Sequence, residues 1–320
     1  MNTMKWLVKR EFWEHKGGFF WTPLVVGSII ALGTAASAIT GLVMKSKHGM
    51  NINGQQVTNL SGVIEPEQHA QIVNAISQGY IAAAAPLFMV MAVVIFFFCL
   101  GTLFDERKDR SVLFWKSLPV SDGETVLSKL AMALVAAPLI TLAFGIITSI
   151  LVLLIAVISG ATTGLNLAGV FANPATYLAP FKILAVLPVY LVWALPTAGW
   201  LMMVSAWART KVFLWAVGVP LLTAGLLAWF DAMFDFNWDI EWFFKNIVLR
   251  GLLSLVPGAW FGFVDPPGGM HIDDNHSFDF TVLVVQSWKT LAYAHAWIGA
   301  AVGAGMIYAA TRLRRWKDEG

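Results

Sequence analysis

Residues 104–129 read FDERKDRSVLFWKSLPVSDGETVLSK, and they hold the densest charge in the chain between two long apolar runs. Six consecutive charged residues, Asp105 to Arg110, are too costly to place in a hydrocarbon layer. The stretch is therefore predicted to be a water-facing loop. It also has helical order, because Glu106 precedes Arg110 by four residues, which is the favourable order for a helical ion pair.

The second half of the stretch predicts a corner and a new helix. Apolar side chains recur near helical spacing at Val112, Leu113, Trp115 and Leu118. Pro119 ends this short helix, because the residue before a proline avoids the α region. Ser121 and Glu124 then form an S-x-x-E capping box, which predicts a helix that begins there and runs into the next apolar run. The succession of a short helix, a proline corner and a capped helix favours a docking surface for a cytoplasmic partner. A basic loop that only sets the membrane topology is the alternative.

Composition places the chain in a membrane. Of its 320 residues 58% are hydrophobic and only 12% are charged, against roughly 25% charged in soluble domains. Apolar runs of about 20 residues recur, so the predicted fold class is an all-α, polytopic membrane protein, and the fifteen Trp suit interfacial belts. Cys99 is the only cysteine, which excludes an internal disulfide, and its apolar run gives a thiol no activating polar setting.

Six transmembrane helices are predicted within a single transmembrane domain of residues 1–320, over residues 19–44, 80–104, 130–159, 181–207, 212–234 and 288–313. The connections between them are predicted as a short helix over 67–78, the cytoplasmic coupling loop 105–129, a loop without charge over 160–180 and a tight basic turn over 208–211. Pro188 and Pro196 are predicted to kink the fourth span.

Residues 1–18 are basic and aromatic, and two interpretations compete. One is the n-region of a signal peptide, with Ala36-Ser37-Ala38 as a cleavage site. The other is an N-terminal interfacial helix on the inner leaflet. The following apolar run, 19–44, is longer than the roughly 7–15 residues of a signal h-region, and Glu11 and Glu14 are out of place in one. The interfacial helix is therefore favoured.

Residues 240–264 are apolar enough to suggest a seventh span. Lys245 and Arg250 would each cost about 2.5–3.5 kcal/mol at a helix centre, and Pro257-Gly258 would break the helix. A re-entrant segment before the last span, backed by protein, is predicted instead.

The sorting of basic residues favours six spans over seven. Fifteen of the 21 Lys and Arg residues lie in the N-terminus, the 105–129 loop, the 208–211 turn and the C-terminal tail. With six spans these four segments share one side, which the positive-inside rule makes cytoplasmic, together with both termini. The absence of an internal repeat gives no support to an inverted-repeat secondary transporter.

Motifs for chemistry are missing from the sequence. It has no G-x-x-x-x-G-K-[ST] P-loop, no H-E-x-x-H and no G-x-S-x-G, so no catalytic residue and no metal site is predicted. A solvated acidic loop is favoured over a metal site for His271, Asp273, Asp274, His276 and Asp279. His295 is either a satisfied bundle residue or a proton relay, and Asp231 and Asp235 are predicted to lie in the outer interface.

The chain resembles the permease subunits of type-2 ABC transporters, which export polysaccharides, drugs and lipids. Three features carry the resemblance: the amphipathic start KWLVKREFWEHKGGFFWTPL, the loop ERKDRSVLFWKSLPVSDGETVLSK and the broken apolar segment before the final span, Trp242 to Val264. The loop is similar to the family's E-R-…-L-P-V-S-…-E-…-K-L coupling segment. The charge-free loop over 160–180 and the His271 loop are not family features, so no substrate can be inferred.

The resemblance implies an exporter that works by alternating access in a bacterial inner membrane. ATP and Mg would bind a separate cytoplasmic ATP-binding subunit, so this chain would hold no cofactor; its other partners would be a second permease copy and the lipid bilayer, with no nucleic acid. Polar contacts to the ATP-binding subunit would come from Glu106, Arg107 and Arg110. Packing would come from Val112, Trp115 and Leu118, and a lesser contact from Arg209 and Lys211.

Two other function classes are open. One is a membrane-embedded lipid-modifying enzyme with its site in the outer loops, for which the His271–Asp279 cluster is the available set of side chains. The other is a non-transporting scaffold or sensor. Stimulation of a separate ATP-binding subunit would distinguish the permease from both.

Overall fold

Long apolar helices dominate the computed structural model, which describes residues 3–52, 55–57, 64–109, 120–264 and 280–316. Within these ranges five helices are long and apolar enough to cross a membrane: Gly17–Lys47, Pro66–Lys108, Asp122–Thr163, Pro174–Trp207 and Leu214–Phe234. A bent pair, Phe280–Ala292 and Ala294–Trp316, makes a sixth if it counts as one span. The predicted all-α, polytopic class is confirmed at this level.

Up to residue 109, the described residues form four α-helices and one pair of antiparallel strands. Helix α1 spans Thr3–Glu14, and a π-helical turn at Gly17–Trp21 leads into α2, Thr22–His48. Two short strands, β1 (Met50–Ile52) and β2 (Gln55–Val57), pair antiparallel. Helix α3, Pro66–Gly79, continues through a 3-10 turn, Tyr80–Ala84, into α4, Ala85–Lys108. The predicted short helix over 67–78 is therefore continuous with the second span.

The middle of the chain holds the next three long helices. Helix α5, Asp122–Ala131, passes through a π-helical turn, Met132–Ala136, into α6, Ala137–Thr163. Helix α7 spans Pro174–Trp207 and stays helical through Pro180, Pro188 and Pro196. A π-helical turn, Leu214–Gly218, then opens α8, Val219–Phe234.

The predicted loop over 160–180 is wrong, because most of these residues are helical. Helix α6 ends at Thr163, where Gly164 takes a left-handed φ of 85° that closes the helix. A 3-10 turn spans Ala168–Ala172, and α7 begins at Pro174. The Asn173 side chain caps α7 by accepting from the Ala175 amide at 3.0 Å, and Pro174 suits the first helical position.

The segment 240–264 is helical but broken. It contains α9 (Ile240–Phe243), a π-helical turn (Phe244–Leu249), α10 (Arg250–Leu253) and, after a turn, α11 (Trp260–Phe263). Gly258 lies in that turn with φ +87°, a conformation that glycine adopts without strain. The break falls at Pro257-Gly258, and the re-entrant path itself stays a prediction.

The last span differs in shape from its prediction. Residues 288–313 were predicted as one helix, but α12 (Phe280–Lys289) with its 3-10 turn (Thr290–Ala292) meets α13 (Ala294–Trp316) at a bend of 72°. Tyr293 lies between them in an extended conformation. Residues 288–292 therefore belong to the helix before the bend.

Helix α7 lies at the centre of the fold. It packs against α13, α4 and α12, and Trp193, Leu201 and Met202 on it are fully buried. By contrast, α2 and α8 are peripheral, with large apolar side chains such as Leu32 and Leu222 exposed. Such exposure suits contact with lipid tails or with another membrane chain.

The backbones of α7 and α13 meet at two glycines. A Cβ placed on Gly199 would lie 2.4 Å from the Gly303 carbonyl oxygen, and one on Gly303 would lie 2.5 Å from the Leu195 backbone. Neither contact tolerates a methyl group unless the helices separate. Small residues that permit such close approach are typical of membrane helix packing.

Gly303→Ala is expected to lower the thermal unfolding midpoint of the purified chain in detergent, because overpacking costs about 1–3 kcal/mol. Gly305→Ala is the matched control. Gly305 lies on the same helix, and nothing lies within 4 Å of its Cβ position. That control should leave the midpoint unchanged or raise it, since alanine favours helix. Equal midpoints for the two variants would contradict the close crossing.

Candidate functional site

The predicted coupling residues fall partly outside the described residues. Arg110, Val112, Trp115 and Leu118 belong to residues 110–119, which the described ranges leave out. Glu106 and Arg107 lie at the end of α4, and Arg209 and Lys211 lie exposed in the turn after α7. Ser121 and Glu124 begin α5.

The helix after the predicted coupling segment is capped as the sequence indicates. The Ser121 hydroxyl accepts from the Glu124 amide at 3.2 Å, and the Glu124 carboxylate accepts from the Ser121 amide at 3.0 Å. Both halves of the capping box are thus made. This box fixes the residue at which the chain re-enters the helical bundle.

Arg107 joins the end of α4 to the end of α7. Its guanidinium donates to the carbonyl oxygens of Ser205 and of Ala208, the latter at 2.9 Å. The Ser205 hydroxyl in turn accepts from the amides of Leu103 and Phe104. The Arg107 guanidinium therefore already holds the 208–211 turn in place, and a partner that contacts Arg107 would use the same group.

Glu106 is the centre of an ion cluster. Its carboxylate lies 2.9 Å from Lys129 Nζ on α5 and 3.1 Å from Arg314 Nη2 on α13. Arg10 Nη2 on α1 lies 3.6 Å from the same carboxylate. Among the described residues, Glu106 forms ion pairs with these three cations of its own chain. Its predicted pairing with Arg110 lies outside the described residues, and that pairing and its contact with a partner stay predictions.

Glu11 and Lys129 form the buried half of this cluster. Both side chains are essentially inaccessible, with 0% and 1% of their surface exposed. Lys129 Nζ donates to both carboxylate oxygens of Glu11 at 3.0 Å, and Arg10 also donates to that carboxylate. The lysine thus bridges two carboxylates, Glu11 on α1 and Glu106 on α4.

Arg314 completes the cluster from the C-terminal helix. Its Nε lies 3.3 Å from the Asp122 carboxylate on α5, and only 3% of its side chain is exposed. Among the described residues the ion cluster therefore joins four acids to three bases: Glu11, Glu14, Glu106 and Asp122 with Arg10, Lys129 and Arg314.

The ionisation of Glu11 follows from its neighbours. Burial by itself would raise the pKa of this carboxyl, but the charges and hydrogen bonds of Lys129 and Arg10 outweigh it, and the net pKa lies below its usual value. Glu11 is therefore an anion at neutral pH.

The ion cluster brings four helices together around the two ends of the predicted coupling segment. Within that segment, residues 105–129, Glu106 lies at the start on α4, and Asp122 and Lys129 lie towards the end on α5. Helices α1 and α13 contribute Arg10, Glu11 and Arg314, so the first and last helices lie at the same end of the bundle. The ion cluster therefore ties α1 and α13 to the two helices on either side of residues 110–119.

One group near the cluster has the residue types of a metal site. Ligand atoms of Glu11, Glu14 and His15 lie within 4.8 Å of one another. Both Glu11 oxygens already accept from Lys129 at 3.0 Å, and His15 packs edge-on against Phe98. The Lys129 ammonium thus already neutralises the Glu11 carboxylate, and Glu11 and His15 connect α1 to α5 and to α4.

Other residues predicted from sequence lie elsewhere. The His271–Asp279 cluster lies outside the described residues. His295 is exposed in the first turn of α13, and its carbonyl accepts from Arg250. Asp231 accepts from the Trp238 amide at 2.8 Å, and Asp235 ends α8 in a left-handed conformation. The Asp231 carboxylate thus stabilises the turn after α8.

Comparison with known proteins gives no relative. No protein-family model, no curated protein and no solved structure matches the chain.

Sequence reasoning missed the partners in the ion cluster. The available signals were a glutamate in a basic amphipathic helix, Glu11, and a lysine where a capped helix enters an apolar run, Lys129. Each predicts a buried charge that requires a partner. The pairing across 118 positions could not be found from local pattern.

Proposed function

We propose that this chain is the membrane-spanning permease subunit of an ATP-driven ABC exporter. The observation that carries the proposal is the ion cluster, which ties both ends of the segment that resembles a coupling helix to α1 and α13. A plain topology-setting loop would need no such attachment. A segment that receives force from a partner requires it.

In this proposal ATP and Mg bind a separate cytoplasmic subunit, and two permease copies surround the substrate path. Nucleotide-driven closure of the ATP-binding subunits moves residues 110–119. The ion cluster passes that movement to the bundle, which alternates between inward-open and outward-open arrangements. Exposed Arg209 and Lys211, held in place through Arg107, supply a second contact.

The experiment that tests the function uses the tagged chain purified from its native membrane in mild detergent. A stoichiometric subunit with a P-loop should co-purify, and its ATP turnover in lipid vesicles should rise when the chain is present. A chain that purifies alone, or a partner whose ATP turnover is independent of it, would contradict the proposal and favour a scaffold.

Orientation is part of the proposal, with the cluster end of the bundle in the cytoplasm of a bacterial inner membrane. Four basic segments support it: the start of α1, the 105–129 region, the 208–211 turn and the end of α13. The ion pairs and the Arg107 hydrogen bonds bring these segments to one end of the bundle.

Cysteines placed singly at Arg209 and at Glu67 should report this orientation, since both side chains are exposed. Native Cys99 is buried and should not react. In intact cells an impermeant thiol reagent should label Glu67→Cys and spare Arg209→Cys. Opening the cells should expose the second site. Labelling of Arg209→Cys from outside would contradict the orientation.

A further inference from the structure

Arg250 is a buried cation far from the ion cluster. It lies in the broken 240–264 segment with 7% of its surface exposed. It is held beside α13 near His295 and Gly299, about fifteen residues before Arg314 on that helix. At about 1.5 Å per residue, this places Arg250 roughly 22 Å along the helix axis from the cluster.

Close packing fixes the guanidinium of Arg250. It lies 4.7 Å from the ring centre of Trp193 on α7, and its Nη2 donates to the His295 carbonyl at 2.7 Å. A Cβ on Gly299 would fall 2.0 Å from Nη2, so a methyl group at this position would displace the guanidinium. The backbone carbonyl of Arg250 accepts from Thr197 at 2.9 Å, which fixes the segment to α7.

The charge of Arg250 has no acidic partner in the described ranges. Every ion pair found there joins other residues, and the buried Nε of Arg250 has no hydrogen-bond acceptor among the described residues. A desolvated guanidinium normally requires a countercharge. In a membrane protein an ionisable residue in the interior marks a functional site.

A cavity of about 320 Å³ lies next to this guanidinium, between α7, α8, α13 and the 240–264 segment. Arg250 is the only charged side chain among its described lining residues. Asn246 also lines it, and its amide donates one hydrogen to Trp242, which leaves the second N–H for a ligand. The cavity therefore offers an anion one buried cation and a further donor.

The rim of the cavity is apolar and exposed. Ile247, Ile298 and Val302 line it with 50%, 60% and 49% of their surfaces exposed. Such a rim opens towards hydrocarbon rather than towards water. A ligand that matches both the Arg250 and Asn246 donors inside the cavity and the apolar rim has an anionic head and an apolar tail.

We propose that this cavity binds the phosphate headgroup of an anionic phospholipid. The phosphate oxygens take the free donors of Arg250 and Asn246, and the acyl chains lie outside along Ile247, Ile298 and Val302. The volume holds a headgroup and excludes the chains. The site is independent of the proposed transport function, because it requires only that a lipid binds here.

The test uses the full-length chain purified in detergent, with phosphatidylglycerol, phosphatidylcholine or inorganic phosphate added in separate arms. Bound lipid is counted by native mass spectrometry, and the unfolding midpoint is followed by tryptophan fluorescence. We expect phosphatidylglycerol to be retained and to raise the midpoint, and the other two ligands to do neither. Arg250→Met should weaken phosphatidylglycerol binding at least tenfold.

Arg312→Met is the matched control, because Arg312 also lies over an aromatic ring, Tyr308 at 5.1 Å, on α13, but is exposed and does not line the cavity. It should retain the lipid. If Arg250→Met fails to fold, Val302→Trp fills the rim while leaving Arg250 in place, and it should lose the lipid too.

Three outcomes would overturn the proposal. Equal retention of the two phospholipids would show that the headgroup charge is not recognised. Full retention of phosphatidylglycerol by Arg250→Met or Val302→Trp would place any bound lipid elsewhere. A midpoint shift with inorganic phosphate that Arg250→Met abolishes would make the ligand a free anion rather than a lipid.

Discussion

Lys129→Met should lower the thermal unfolding midpoint of the purified chain by on the order of 10 °C. Removing one partner of a buried ion pair costs about 3–5 kcal/mol, because the other charge stays buried without compensation. The expected loss of stability is large here, because Lys129 Nζ forms ion pairs with two carboxylates, Glu11 at 3.0 Å and Glu106 at 2.9 Å. Methionine has a similar length and fills the same space.

Two companion variants separate charge from packing. Lys108→Met removes an exposed lysine at the end of α4, near Glu106. It should leave the unfolding midpoint within about 2 °C of that of the unchanged chain, because exposed charges contribute little to stability. The double variant Glu11→Gln/Lys129→Met removes one charge of each sign, which restores the charge balance of the cluster, and it should recover much of the loss. A double variant less stable than Lys129→Met alone would contradict the charge-balance account.

If the proposed ATP-binding subunit docks on residues 105–118, Trp115→Ala should abolish most of the binding between the two chains. Buried aromatic anchors dominate interface energies, and truncating one typically costs at least 2 kcal/mol, which is about thirtyfold in affinity. The prediction rests on the sequence, which places Trp115 among the apolar residues of the short helix. Affinity of the purified partner for the chain in lipid nanodiscs is the measurement.

Lys108→Ala is the control for this variant, because an exposed ion pair contributes about 0–1 kcal/mol. It should change partner affinity only slightly. Glu106→Lys is a poor probe of docking, since it would place a fourth cation among Arg10, Lys129 and Arg314 and destabilise the chain itself. Weaker partner binding by Lys108→Ala than by Trp115→Ala would indicate a mainly electrostatic contact.

Local patterns predicted the parts of the fold that local physics determines. Apolar runs located the long helices, and the S-x-x-E spacing located the start of α5 at Asp122. Pro257-Gly258 correctly marked the break in the 240–264 segment. These features depend on hydrophobic transfer, hydrogen bonds within one turn and backbone sterics, all of which are readable within a few residues.

Long-range pairing and bends could not be predicted in this way. Nothing local to Glu11 identifies Lys129 as its partner, because the contact depends on how α1 packs on α5. The bend at Tyr293 could not be predicted because no proline or glycine lies beside it.

The spacing of Gly299 and Gly303 on α13 did carry a signal, since a G-x-x-x-G pattern in an apolar helix predicts close packing.

ATP turnover by the partner subunit in lipid vesicles tests the coupling claim most directly. The chain is compared with a variant in which residues 111–118 are replaced by a Gly/Ser linker of the same length, which leaves every member of the ion cluster in place. We expect the variant to keep its unfolding midpoint, to lose partner binding and to leave ATP turnover at the level of the partner alone. A variant that retained full partner binding and full stimulation of ATP turnover would contradict the account and leave residues 105–129 as a topology-setting basic loop.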